Sequence, residues 1–162
     1  MKRVFLGLGS NLGDRAAMLR QAVRALESPG VHVLRVSPIY ETEPVGVSGQ
    51  HWFLNQVAEA ETSLFPLQLL HRVMKIERQL GRRRLGPKGP RTIDIDILLF
   101  GNAVLETPAL TIPHARFRDR RFVLGPLADL APDMRDPVTR KTMQELLDDL
   151  QGQVARRYGV RH

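Results

Sequence analysis

An α+β domain built on an antiparallel sheet is what this sequence predicts, and three observations lead there. Segments of strand character and segments of helical spacing follow one another in the order β-α-β-β-α-β up to Phe100. The most strand-like run, Thr92 to Phe100, closes that order. At 162 residues, with 43% apolar and 25% charged side chains, the chain is long enough to bury a sizeable core within one domain.

The elements follow in order. Arg3 to Leu8 reads as a short buried strand. Asp14 is placed to cap a helix running to about Glu27, with Ala16, Leu19, Ala22, Val23 and Leu26 at helical spacing. Val31 to Glu41 alternates as a strand, and the turn-rich run from Glu43 to Gln50 is expected to be a mobile loop. Trp52 to Thr62 alternates again. Pro66 suits the first turn of a helix whose stripe is Leu69, Val73, Ile76 and Leu80, stopped by Gly81. This is the ferredoxin-like, split-βαβ arrangement, with helices expected on one face of the sheet. C-terminal additions follow: short strands near Val104 and Thr111, a helical stretch from Phe122 to Leu130, and a helix from about Lys141 to Leu150. Residues 1–150 are expected to form the domain. Residues 151–162, with Arg156, Arg157, Arg161 and His162, are expected to be a frayed, flexible tail.

Composition narrows the chemistry. The chain has no cysteine, which excludes disulfides, thiolate nucleophiles and zinc–thiolate sites. No apolar run approaches the ~20 residues that span a bilayer, and Met1-Lys2-Arg3-Val4-Phe5 has no signal-peptide build. A cytoplasmic protein that engages no membrane is the expectation. The net charge of +7 is localised: the stretch from Arg72 to Arg91 carries eight basic residues against the single acid Glu77. A second cluster is Arg116, Arg118, Arg120 and Arg121. Localised positive charge implies an anionic partner, and guanidinium forks grip phosphate well.

The sharpest feature is Arg91-Thr92-Ile93-Asp94-Ile95-Asp96-Ile97-Leu98. On a strand Asp94 and Asp96 share a face, their Cα atoms roughly 6.6 Å apart, while Ile93, Ile95, Ile97 and Leu99 turn to the helices. Strands disfavour aspartate, so two in one strand ask for a reason. They could lie on a solvated face or pair with arginines. The functional reading is oxygen-only coordination of Mg²⁺. Arg82 and Arg91 flank the strand, and Arg83, Arg84 and Lys88 share a Gly- and Pro-rich loop that suits either a hinged lid or a plain solvated loop. His114 stands in anion-binding company beside Arg116 to Arg121, whereas His32, His51, His71 and His162 read as structural or exposed. Gly7-Leu8-Gly9-Ser10-Asn11-Leu12-Gly13 is one residue too long for a dinucleotide fingerprint and reads as a tight turn between strand and helix. A Walker A sequence is absent, so any ATP must be held by scattered arginines and metal.

These residues resemble the signatures of the 6-hydroxymethyl-7,8-dihydropterin pyrophosphokinases. The resemblance rests on Gly89 to Leu98, Leu6 to Gly13, Phe53-Leu54-Asn55 and Thr111-Ile112-Pro113-His114, in order and in register from about residue 3 to 150. It implies transfer of the β,γ-diphosphate of ATP to the pterin hydroxymethyl oxygen, with release of AMP. It further implies two Mg²⁺ ions on Asp94 and Asp96, and phosphate clamps at Arg82 and Arg91, these four being the catalytic set. ATP would be met by Leu70, Glu77, Arg82, Arg91, Thr111, His114 and Arg120. The pterin would stack between Phe53 and Phe122, with Thr42, Val45 and Asn55 also on it. Residues 10–14, 43–50 and 82–90 correspond to the family's mobile loops. ATP and the pterin are the expected partners of a monomer that binds no nucleic acid.

Two rivals differ in class. A ferredoxin-like nucleic-acid-binding module would need exposed aromatics on a central strand, where Asp94 and Asp96 stand instead. A palm-type nucleotidyl transferase would also use strand carboxylates and two metals, but would release pyrophosphate and keep AMP on its product.

Overall fold

The computed structural model describes residues 1–43, 52–81, 93–151 and 155–159. Strand β1 (Lys2–Ser10) leads through Asp14 into α1 (Arg15–Leu26), and Asp14 caps that helix by accepting the Ala17 N–H at 3.0 Å. The strand expected over 31–41 is split into β2 (Val31–Val36) and β3 (Tyr40–Thr42). Pro38 has no N–H for a ladder. Ser37 bridges the interruption, its hydroxyl accepting from Val57 N at 2.9 Å and its carbonyl from Gln56 Nε2 at 2.8 Å. Strand β4 (Phe53–Thr62), helix α2 (Pro66–Gln79) and strand β5 (Asp94–Phe100) follow. Pro66 opens α2 where a missing N–H costs nothing, and Gly81 follows its end with φ of +79°.

Beyond β5 lie a small hairpin of β6 (Leu105–Glu106) and β7 (Thr111–Ile112), then a 3₁₀ turn (Phe117–Asp119). Helix α3 (Arg121–Leu130), helix α4 (Met143–Asp149) and strand β8 (Ala155–Arg157) complete the chain. Thr142 and Glu145 cap α4 reciprocally, each side chain accepting the other's backbone N–H at 3.1 Å.

The main sheet runs β5-β1-β4-β3-β8, with β2 pairing β4 beside β3, and every pair is antiparallel. The β-α-β-β-α-β order therefore closes into the ferredoxin-like sheet. Helices α1 and α2 share one face, burying Leu19, Leu26, Leu69, Val73 and Ile76 against Val4, Leu6, Leu54, Ile95 and Ile97. The C-terminal additions cover the other face: α3 and α4 bury Leu124, Leu127, Met143 and Leu146 against Phe5, Val57, Leu98 and Leu99.

Three expectations are corrected. Leu99 does not join Ile93, Ile95 and Ile97 under α1 and α2, because the pairing shifts between Phe5↔Leu99 and Leu6↔Ile97. The extra residue there, Leu98, makes a β-bulge that puts both Leu98 and Leu99 in the second core, while Phe100 returns to the first. Gly7 and Gly9 are not in a turn but inside β1, and the turn glycine is Gly13, with φ of +68°. Finally, residues 155–157 are not frayed: they pair with β3 in the register Tyr40↔Arg157, Glu41↔Arg156, Thr42↔Ala155. Among the described residues no helix is long and apolar enough to cross a membrane.

Candidate active site

Asp94 and Asp96 lie on the face of β5 opposite Ile95 and Ile97, whose burial at 5% and 4% exposure sets the alternation. Asp96 is half-exposed, its side chain 50% accessible. What stands beside them matters as much. Asp94 pairs with Gly9 and Asp96 with Gly7, and across β1 the same glycines pair with Asn55 and Val57. Cross-strand partners share a face, so two positions that would carry side chains between the carboxylates and β4 carry none. The result is a trough floored by bare backbone. From Asp94 to Asn55 it spans two strand spacings, roughly 10 Å. A methyl group on Gly9 would lie 3.1 Å from Asn55 Oδ1.

At the far side of the trough Asn55 donates through Nδ2 to Thr42 Oγ1 at 2.8 Å. Both are buried, at 6% and 5% exposure. Thr42 pairs with Phe53, and Tyr40 with Asn55, so all four occupy one face of the β3–β4 ladder. Tyr40 is anchored there by its hydroxyl, which donates to Asp129 on α3.

His114 closes the near side. Its backbone N–H donates to Leu98 O at 2.9 Å, which fixes it against β5. Its Nδ1 accepts the Arg116 N–H at 3.1 Å, so the ring proton of the neutral form sits on Nε2, facing Asp96 Oδ2 at 3.9 Å. Burial holds the His114 pKa below its ordinary value; Arg120 and Arg116 push the same way, and Asp96 opposes them. Arg120 lies with its guanidinium 5.6 Å from the Phe122 ring centre, at the start of α3.

The 3₁₀ turn between His114 and Arg120 is held by an ion pair between half-buried Arg118 and fully buried Asp136. Arg118 donates to both oxygens of Asp136, at 2.5 and 2.9 Å, and Asp136 also accepts from Val138 N and Thr139 Oγ1. Burial alone would raise the Asp136 pKa, but these hydrogen bonds outweigh it and hold the carboxyl at about 2.

Of the remaining candidates, Glu77 on α2 accepts the Ile95 N–H at 3.0 Å. Leu70 is half-buried against the first core, and Thr111 is half-buried on β7. Arg82 and Arg91, proposed from sequence as catalytic, and Val45 lie outside the described residues, as do Arg83, Arg84 and Lys88. Sequence reasoning missed Gly7, Gly9 and Tyr40. The signal for the glycines was their spacing of two, which on a strand removes two side chains from one face.

Among the described residues, no group of three or more His, Asp or Glu side chains is gathered to hold a metal by itself. Two oxygen-donor carboxylates on one half-exposed strand face nevertheless suit Mg²⁺, which is usually held by one or two carboxylates together with water and substrate phosphates.

Comparison with solved structures defines the class. The fold matches a wild-type Plasmodium falciparum HPPK-DHPS bound to pteroate with a TM-score of 0.74 at 18% identity, over 91% of this chain and 42% of that one. The chain is thus an α+β domain of the architecture found within those longer proteins. Residues 5–132 match the family model of 7,8-dihydro-6-hydroxymethylpterin-pyrophosphokinase (HPPK), and the chain belongs to that family. It is 47% identical over 143 residues to the 2-amino-4-hydroxy-6-hydroxymethyldihydropteridine pyrophosphokinase of Bacillus subtilis, covering 87% of this chain and 86% of that protein. To the enzyme of the same name from Pseudomonas aeruginosa it is 45% identical over 148 residues, covering 91% of each. It is also 44% identical over 158 residues to the Schizosaccharomyces pombe folic acid synthesis protein fol1, covering 97% of this chain but 22% of that protein. The chain therefore spans under half the length of the fungal and Plasmodium proteins it matches.

Proposed function

We propose that this protein transfers the β,γ-diphosphate of ATP to the hydroxymethyl oxygen of 6-hydroxymethyl-7,8-dihydropterin, releasing AMP, as a step of folate biosynthesis. Family membership supports the activity. The observation that carries the site is the glycine-floored trough joining Asp94 and Asp96 to Asn55, Thr42 and Phe53. It separates a place for cation-bound triphosphate from a place for a flat, hydrogen-bonding ring.

Residues divide along that trough. Asp94 and Asp96 would hold two Mg²⁺ ions, which would neutralise triphosphate charge and lower the proton affinity of the attacking hydroxyl. His114, neutral and carrying its proton on Nε2, donates to a phosphate oxygen. Arg120 adds charge on the same side, with Arg82 and Arg91 as clamps and Leu70, Glu77 and Thr111 around the nucleotide. Asn55 and Thr42 fix the ring edge, Phe53 and Phe122 stack on the ring, and Val45 packs on it. The pterin hydroxymethyl oxygen attacks the β-phosphorus in line, the bond from that phosphorus to the bridging oxygen of AMP breaks, and the hydroxyl proton passes to water. Positioning and charge neutralisation are what such a transfer needs, and no nucleophilic side chain is required.

The proposed assignment is to a monomer whose single domain takes in residues 1–150 together with strand β8, which joins the main sheet beside β3. The need for ATP and the absence of cysteine support a cytoplasmic setting. Half-exposed carboxylates along the near side of the trough disfavour nucleic acid as a ligand.

The test is product identity. With Mg·ATP and 6-hydroxymethyl-7,8-dihydropterin the protein should form AMP only when the pterin is present. ADP, pyrophosphate or pterin-independent turnover would reject the assignment.

A further inference from the structure

We infer that Arg156, on the C-terminal strand β8, is a positioning residue for the pterin side of the site: it grips the back of the wall whose front carries Thr42 and Phe53. The inference rests on the pterin role proposed above for those two residues.

Strand β8 lies beyond the residues matched by the family model, which end at 132, and it adds a new edge beside β3. Its side chains alternate. Ala155 and Arg157 pair with Thr42 and Tyr40 on the trough face, while Arg156 pairs with Glu41 on the face of α1 and α2. There the Arg156 guanidinium donates to Glu41 Oε1 through Nε at 3.0 Å and through Nη2 at 2.7 Å. It also lies over the Trp52 ring, 4.4 Å from the centre. One side chain thereby ties together the residues that directly precede Thr42 and Phe53.

A second arginine completes the brace. Arg15, at the start of α1, donates to Trp52 O at 2.6 Å and approaches Glu41 Oε2 at 3.5 Å. Tyr158 N donates to Ile39 O at 2.7 Å, which extends the tie to the start of β3. On a pleated ladder, fixing Glu41 and Trp52 from behind fixes the backbone that presents Thr42 and Phe53 in front, and Thr42 orients Asn55. Arg156 touches no substrate in this account; it acts through Glu41 and Trp52.

The Arg156 side chain is 55% exposed. Exposed ion pairs and cation–π contacts each change equilibria by roughly two- to five-fold. Arg156→Ala should therefore raise the dissociation constant for 6-hydroxymethyl-7,8-dihydropterin about three- to ten-fold. Affinity for a non-hydrolysable ATP analogue should stay within about two-fold, and the melting temperature should fall by no more than about 4 °C. Arg156→Lys, which keeps the charge without the fork, should fall between. Trp52 is the only tryptophan, so loss of the stacked guanidinium should also alter the emission of the free protein. Wild-type pterin affinity in the alanine variant would overturn the inference, as would unchanged Trp52 emission. A parallel loss of pterin and nucleotide affinity with a large drop in melting temperature would also overturn it, since that marks a merely structural role. Failure of the functional reading shows separately, as wild-type protein without pterin-dependent AMP, and takes this inference with it.

Discussion

Replacing Gly9 with alanine should weaken pterin binding while leaving the fold intact. Gly9 sits inside β1 without a left-handed φ, so its backbone accepts any residue, and alanine in place of a strand glycine is worth roughly 0.5–1 kcal/mol to the fold. The added methyl group would meet Asn55 Oδ1 at 3.1 Å and Leu54 O at 3.9 Å. The first contact is too close, so the Asn55 amide must retreat, and its 2.8 Å bond to Thr42 must lengthen or break. A hydrogen bond of this kind contributes about 0.5–1.5 kcal/mol. Lost from the pterin side, that is roughly a 2- to 12-fold weaker pterin affinity, while the gain at Gly9 and the loss at Asn55 nearly cancel in the fold. Thermal melts should thus place the variant within about 1 kcal/mol of wild type, and titration with the pterin beside an unreactive ATP analogue should show the weaker binding. Gly7→Ala is the control, since its methyl group would rest on the end of the Leu98 side chain at 3.4 Å and should cost less. Pterin affinity unchanged in Gly9→Ala would refute the idea that bare backbone at Gly9 shapes the ring's place.

Asp94→Asn or Asp96→Asn should leave the melting curve near wild type and cut turnover by roughly 100- to 1,000-fold, the equivalent of several kcal/mol of lost charge stabilisation, read as AMP formed per enzyme. EDTA should abolish AMP formation and added Mg²⁺ restore it, read in the same assay. The Arg118–Asp136 pair should make the fold acid-sensitive. The Asp136 pKa is held at about 2 against an ordinary 3.8, so its contribution of about 2 kcal/mol is present above pH ~4 and fades as the pH falls toward 2. Denaturant melts of wild type and Asp136→Asn across that range should converge. Arg118→Ala at neutral pH should cost about 3–5 kcal/mol by stranding a buried carboxylate, measured by the same melts.

Much of the frame is legible in the sequence because its signals are local. Asp14, Pro66 and Gly81 each announce a helix end through a single backbone hydrogen bond or a fixed φ. The alternation of Asp94 and Asp96 against Ile95 and Ile97 is equally local. What escapes is set by pairing. The bulge at Leu98 exists only because β5 meets β1 out of step, and it moves Leu99 from one core to the other. Gly7 and Gly9 look like turn residues until β1 is flanked by both β4 and β5, when their missing side chains become a floor. Strand β8, Ala-Arg-Arg, has no apolar alternation to betray it; charge partners on Glu41 and Asp129 fasten it instead.

The two end strands of the row β5-β1-β4-β3-β8 are guarded, though differently. On β5 the Glu77 carboxylate takes the Ile95 N–H and the His114 amide takes the Leu98 carbonyl, so two outward groups that could recruit a foreign strand are occupied. At the opposite border β8 is only three residues long and carries two arginines, a poor template for further addition. A unit so protected can be strung beside other folded units with little risk of mispairing. That suits an architecture which, in fungi and in Plasmodium, occurs as one segment of a much longer polypeptide.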